Sequence, residues 1–359
     1  MFTKLTEKLD SYLELGLPFY DCKVMKDGEC VYHHGGGFTD PEKTVKVTGK
    51  EKYNIYSCSK LITCAAALQL WEKGLYDLDD KLSKYMPEFE NMTVMKDGVA
   101  VPAENAITIR NLFTMTAGFS YNLNSPGLVL CREETNGECQ TREAIRYLAK
   151  DPLGFEPGAK YEYSLCHDVL AALVEVLTGM TFGEYVKKNI FDPLGMKDST
   201  FLLDDSRLDE VIDQYRFVEG KGPVKTNKTI IYKLGSKYES GGAGCISTVD
   251  DYIKLEEALR VGDVILKRTT VDMLATNQLT EEQNRSYGNP GYGYGLGQRC
   301  PMASDKFDFG WGGAAGAYYA IDRINGISVY LATHVLGLGL YGGKRSEILP
   351  IIQEILKDK

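Results

Sequence analysis

Ser57-Cys58-Ser59-Lys60 leads directly into Leu61-Ile62-Thr63-Cys64-Ala65-Ala66-Ala67-Leu68-Gln69-Leu70-Trp71. The longer stretch is apolar on nearly every face, the pattern of a helix buried all round. A helix through the shorter one sets Ser57 and Lys60 one turn apart on one face. A serine hydroxyl becomes a useful nucleophile only when a neighbour takes its proton; an amine at this spacing is that acceptor, or the cation that tunes one. S-x-x-K alone is a short pattern, and most such serines cap helices. Here both polar groups stand at the mouth of a core helix, which makes Ser57 the candidate nucleophile. Cys58 beside it reads as an inert buried thiol.

Outward from this point the chain changes character on both sides. Towards the N-terminus, residues 3–15 have helical spacing. Two short strands follow around Tyr20-Asp21-Cys22-Lys23-Val24 and Cys30-Val31-Tyr32-His33, joined by Lys26-Asp27-Gly28, a hairpin signal. Residues 57–215 are mostly helical by pattern, with helices expected over 109–116, 142–150, 167–177 and 181–191. From Gly241 onward glycine-punctuated strands return, over 317–322 and 327–333, before a last helix near 344–356. Residues 120–139 and 216–240 read as long loops, the second turning at Gly220-Lys221-Gly222-Pro223. Thr248 or Ser247 reads as the N-cap of a helix opened by Asp250-Asp251. The order predicts an α/β (α+β) fold with an α/β lobe from both chain ends, residues 1–65 and 235–359. A helical lobe, residues 66–234, is inserted between them.

Composition narrows the function. A chain of 359 residues exceeds what one compact core usually serves. The net charge of −9 has no concentrated basic run, which argues against nucleic-acid or anionic-membrane partners. The first 13 residues mix apolar positions with charges, so neither a signal peptide nor a membrane span is expected. Nine cysteines without zinc-ligand spacing suit free thiols in a reducing cytoplasm. Four histidines, only His33 and His34 adjacent, make a metal cluster improbable, and no cofactor is expected. The G-x-S-x-G elbow of the α/β-hydrolases is absent.

Further segments carry a resemblance. Ile55-Tyr56-Ser57-Cys58-Ser59-Lys60, Gly74-Leu75-Tyr76-Asp77-Leu78-Asp79-Asp80, Ile107-Thr108-Ile109-Arg110-Asn111-Leu112-Phe113-Thr114-Met115-Thr116-Ala117-Gly118 and Phe191-Asp192-Pro193-Leu194-Gly195-Met196 occur in this order. Together they resemble the serine β-lactamase and penicillin-binding superfamily, most closely its class C-like branch with the family VIII carboxylesterases. The resemblance implies a β-lactamase/transpeptidase-like fold, with an antiparallel sheet flanked by helices. It also implies an acyl-enzyme mechanism at Ser57.

The same resemblance assigns roles elsewhere. The family's Y-x-N motif falls on Tyr163-Ser164-Leu165, which makes Tyr163 the general base alongside Lys60. A phenol titrates near pH 10, so base work near neutrality needs a lowering of roughly three units, about 4 kcal/mol, or proton sharing with Lys60. The asparagine of that motif, which in the lactamases contacts the acylamido chain of the antibiotic, is Leu165 here. His167, two positions on, is a second polar contact in the pocket or a structural residue, the commoner role of a lone histidine.

The K-T-G motif maps onto Trp311-Gly312-Gly313, so the backbone N–H of Ala314 pairs with that of Ser57 as the oxyanion hole. Such donors stabilise the transition state by about 3 kcal/mol each. Replacing the lysine and threonine by Trp311 and Gly312 removes a cation and a hydroxyl and supplies an apolar wall. The implied substrate is a small ester with a neutral acyl group. A β-lactamase, a D-amino-acid peptidase or amidase, an acyltransferase and a non-enzymatic acylating sensor are the alternatives.

Overall fold

The computed structural model describes residues 1–337 and 343–357; residues 338–342 and 358–359, which the predicted α/β lobe includes, lie outside the described residues. The two chain ends meet in one sheet. Strands β1 (Phe19–Lys26), β2 (Glu29–Gly37), β3 (Tyr292–Tyr294), β4 (Arg299–Pro301), β5 (Asp308–Gly312), β6 (Tyr318–Asp322) and β7 (Ile327–Ala332) lie in the order β2-β1-β7-β6-β5-β4-β3, every pair antiparallel. The β1–β2 hairpin turns at Asp27-Gly28, both with positive φ, as the Asp-Gly signal predicts. The middle strands β6 and β7 are buried at every position, so both faces of the sheet are covered.

Helix α1 (Thr3–Glu14) packs against β2 and against the last helix of the chain. Helices α2 (Ser59–Glu72), α3 (Cys166–Thr178), α4 (Val249–Val261) and α5 (Ile348–Leu356) carry the rest of the framework. Leu5, Leu9 and Tyr12 form the buried stripe of α1, while α4 covers β1, β6 and β7. The Thr248 hydroxyl accepts the Asp251 N–H and caps α4, the reading given by the sequence. Helix α2 is buried from Ser59 through Leu68 and packs on α3. One apolar core runs without a break from α1 through α2 and α3 to α5. The lobe boundary drawn between residues 65 and 66 falls inside α2, because that helix serves both sides of this core.

Several elements differ from the sequence reading. The helix predicted over 109–116 spans Ile109–Phe113, opened by a Thr108–Asn111 capping box. It stops because Met115 adopts a positive φ of 57°. The stretch 181–191 is a short helix, Phe182–Val186, that widens into a π-helical turn over Lys187–Phe191. The expected loop 120–139 contains a helix, Pro126–Glu134, entered at a proline and buried along Leu128 and Cys131. The expected loop 216–240 begins as a hairpin, Gln214–Val218 with Gly222–Thr226, turning at Gly220.

Candidate active site

Ser57, the candidate nucleophile, sits on a backbone held by its neighbours. Tyr53–Asn54 pairs with Ile246–Ser247, and the Ile55 N–H donates to the Cys245 carbonyl at 3.0 Å. Tyr56 then takes a positive φ of 47°, a costly conformation for a bulky residue. Its hydroxyl is fixed by donation to Gln214 Oε1 at 2.5 Å. A 3-10 turn, Tyr56–Cys58, carries Ser57 into α2. Ser57 is 8% exposed and Lys60 0% exposed, so the hydroxyl is at the rim and the amine beneath it.

Lys60 Nζ is 3.5 Å from Ser57 Oγ, 2.7 Å from the Gly242 carbonyl oxygen and 3.3 Å from the Tyr121 hydroxyl. Three acceptors match the three hydrogens of an ammonium group. The glycine-rich segment after Glu239 is therefore the seat of the lysine, a role beyond the helix cap read from the sequence. Thr63 donates to the Gly241 carbonyl, and Ser59 Oγ accepts the Cys245 N–H. These bonds close the segment along α2. A Cβ on Gly242 would lie 2.5 Å from Asp168 Oδ2, 3.0 Å from the Tyr121 hydroxyl and 3.3 Å from Lys60 Nζ, so any larger residue would displace these side chains.

Tyr163 reaches the site by stacking. Its ring lies 5.6 Å from Trp311 and 5.5 Å from Tyr121, within 20° of parallel to both. Lys60 Nζ is 4.5 Å from the centre of the Tyr163 ring, a cation–π contact. The Tyr163 hydroxyl is buried and has no hydrogen-bond partner among the described residues. The structure thus brings Ser57, Lys60 and Tyr163 together, but the hydroxyl bonded to Lys60 belongs to Tyr121. Burial, with Tyr163 and Asp168 close by, pushes the Tyr121 phenol well above its ordinary range, which suits a hydrogen-bonding partner and not a base. The sequence signal for it lay three residues past the quoted segment that ends at Gly118. Asp168 was also missed. This buried carboxylate accepts from Tyr238 and Ser240 and leaves Oδ2 unpartnered beside Gly242.

Two residues placed in the pocket by sequence sit elsewhere. Leu165 is 2% exposed and belongs to the core, and His167 is 0% exposed. Both are buried at the start of α3, where neither is open to solvent. Burial and the Lys60 charge hold His167 well below its ordinary range, and its ring nitrogens have no partner among the described residues. It is a neutral buried ring. Burial likewise pushes the Cys58 thiol up. A cavity with about 40 Å³ of water-accessible space lies beyond Tyr238 and Gly244; it has room for water and contains none of the catalytic candidates.

The oxyanion side is built from β5 and the turn after it. Trp311 faces Tyr163 and Tyr294. The two following glycines meet protein where the sequence reading had them lining the pocket. A Cβ on Gly313 would lie 2.5 Å from the Ile55 carbonyl oxygen, and one on Gly312 would lie 2.6 Å from Arg345 Cζ. This close approach brings the turn against the segment that carries Ser57. Ala314 is exposed, and its N–H has no acceptor among the described residues.

A serine over a buried lysine, with an unpaired amide presented from the turn after a neighbouring sheet strand, is the arrangement that serine acyl transfer requires. A family model described as Beta-lactamase matches residues 22–346, and the chain belongs to that family. Esterase EstB from Burkholderia gladioli is 29% identical over 350 residues, covering 89% of this chain and 86% of its own. Lovastatin esterase from Penicillium rubens is 28% identical over 350 residues, covering 85% and 86%. Monacolin J acid methylbutanoyltransferase from Aspergillus terreus is 31% identical over 272 residues, covering 72% and 65%. The solved structure of EstCE1, a hydrolase with promiscuous acyltransferase activity, superposes with a TM-score of 0.81 at 24% identity, covering 97% of this chain and 98% of that one. Simvastatin synthase (LovD) from Aspergillus terreus gives 0.80 at 23%, covering 98% of each. The fold is β-lactamase/transpeptidase-like, and the chain is a serine hydrolase of the esterase-like group in this family. Among the described residues no single helix is long and apolar enough to cross a membrane.

Proposed function

We propose that the protein hydrolyses small esters with a neutral acyl group through an acyl-enzyme at Ser57. The observation that carries this reading is the placement of Ser57 Oγ 3.5 Å from a fully buried lysine whose other donors are held by Gly242 and Tyr121. Lys60 acts as a fixed cation. Tyr163, with its hydroxyl unpartnered and its ring against that cation, takes the Ser57 proton and passes it to the leaving alcohol. The Ser57 and Ala314 amides bind the oxyanion. Water activated by Tyr163 then attacks the acyl-enzyme and releases the acid and free Ser57. Trp311, Tyr163 and Tyr121 give the acyl group an aromatic wall, which favours an apolar ester over a penicillin.

A fluorophosphonate should add covalently to Ser57, and Ser57→Ala should lose both the label and esterase activity. Labelling and full activity in that variant would end the mechanism. A p-nitrophenyl short-chain ester should give a higher kcat/KM than nitrocefin, and the reverse order would sink the ester preference. The 31% identity to a methylbutanoyltransferase supports a second reading, transfer of the acyl group to an alcohol. It predicts an ester product when an alcohol competes with water. The reducing cytoplasm is the proposed compartment, on the ground that all nine cysteines are free thiols.

A further inference from the structure

Arg345 lies just before α5, far in sequence from every group above, yet its guanidinium reaches the oxyanion turn. One nitrogen, Nη1, donates to the Gly313 carbonyl at 3.0 Å and to the Ala317 carbonyl at 3.1 Å. The Gly313 oxygen also accepts the Gly316 N–H at 3.0 Å, and the Ala317 oxygen accepts the Gly313 N–H at 2.8 Å. The guanidinium therefore staples both ends of the turn 313–317. It lies flat against Gly312, where any Cβ would collide with it.

The carbonyl of Gly313 and the N–H of Ala314 belong to one planar trans peptide and point in opposite directions. Whatever grips that oxygen also aims that hydrogen. A charged donor on the oxygen does more than aim: hydrogen bonds in series polarise one another, so the N–H at the far end becomes a stronger donor. Arginine suits the task because it keeps its charge at any working pH. We propose that Arg345 is a positioning residue for the oxyanion hole, acting through the Gly313–Ala314 peptide to orient and polarise the Ala314 N–H. The inference rests on the acyl-enzyme reading, in which Ala314 supplies that donor.

The test compares Arg345→Met, Arg345→Gln and Arg345→Lys, using p-nitrophenyl acetate and an aryl boronic acid that forms a tetrahedral adduct on Ser57. Arg345→Met should lower kcat roughly 10- to 30-fold, less than the 10²–10³ lost when a donor itself is removed, with KM within about twofold. Boronate affinity should fall by a similar factor, because the adduct oxygen occupies the same hole. Arg345→Lys, which keeps a charged donor, should recover most of both, and the neutral Arg345→Gln should not.

A folded Arg345→Met whose boronate affinity stays within twofold of wild type overturns the inference, as does a kcat loss with no matching loss of boronate affinity. If the methionine variant does not fold, the same criteria applied to Arg345→Gln decide. Ser57→Ala assayed in parallel separates the two levels. Activity surviving in Ser57→Ala overturns the acyl-enzyme reading, whereas a dead Ser57→Ala beside an unimpaired Arg345→Met overturns only the role of Arg345.

Discussion

At the scale of single residues, the site turns on how one buried cation is shared between two phenols. Lys60 donates to the Tyr121 hydroxyl and lies against the ring of Tyr163, so the two tyrosines should respond differently to loss of their oxygen. Tyr163→Phe removes the proposed base and should lower turnover about 10²- to 10⁴-fold, as should Lys60→Ala. Because they act as one unit, the double variant should lose little beyond the worse single one. Tyr121→Phe removes only a hydrogen bond to the ammonium; the expected loss is roughly 10- to 150-fold, the scale of one hydrogen bond to a charged group at about 1.5–3 kcal/mol. Steady-state kcat for the four variants decides it. A larger loss in Tyr121→Phe than in Tyr163→Phe would transfer the base role to Tyr121, and fully multiplicative losses would separate Lys60 from Tyr163. His167→Ala should keep a substantial part of the rate, since that ring is sealed behind α2.

At the scale of elements, the site is a meeting of three backbones: the turn into α2, the segment 240–245 and the turn after β5. The close approach at Gly313 lets its turn touch the backbone before Ser57, and Gly242 leaves room for the side chains of Asp168, Tyr121 and Lys60. Gly242→Ala should push its carbonyl away from Lys60, and a displacement near 1 Å is worth about 10²-fold in rate. The rate of fluorophosphonate labelling measures this directly, and an unchanged rate would show that the segment does not seat the lysine. Much of this level was legible in the sequence. The buried helix, the hairpin at Asp27-Gly28, the Thr248 cap and the final strands follow from periodicity and turn chemistry, which are local. What stayed hidden was long-range. Nothing near Tyr121 or Arg345 says that folding carries the one to Lys60 and the other to Gly313. Helix Pro126–Glu134 was hidden for a different reason: only Gly127, Leu128 and Cys131 of its nine residues are buried, too thin a stripe to read by pattern.

At the scale of the whole molecule, the packing that positions α2 also buries titratable groups, and these tie stability to pH. His334 accepts the Asn54 N–H through Nε2 at 3.2 Å and has Nδ1 3.2 Å from the Asp213 carbonyl. Burial pushes it down from 6.5 to about 4. The unfolded chain therefore binds the extra proton first, and stability should fall as pH drops from about 6.5 towards 4, at up to about 1.4 kcal/mol per pH unit. Glu256 works in the opposite sense. It sits on α4 with both carboxylate oxygens buried and unpartnered among the described residues, and burial, with Glu257 next to it, raises it well above 4.5. The folded protein keeps this proton while the unfolded chain gives it up, so stability should decline as pH rises above about 4.5 for as long as the folded carboxyl stays protonated. Between pH 6.5 and 8 His334 no longer contributes, but Glu175, raised by burial to about 7, and His33, raised by its bond to Asp21, still do, so the slope from Glu256 is isolated by comparing the wild type with a variant. Glu256→Gln keeps the shape and removes the titration. Its urea-unfolding free energy should therefore gain on wild type as pH rises, by up to about 1.4 kcal/mol per pH unit for as long as the folded carboxyl stays protonated. Parallel profiles for the two proteins would mean that Glu256 is already ionised in the fold, with a partner for its charge inside the core.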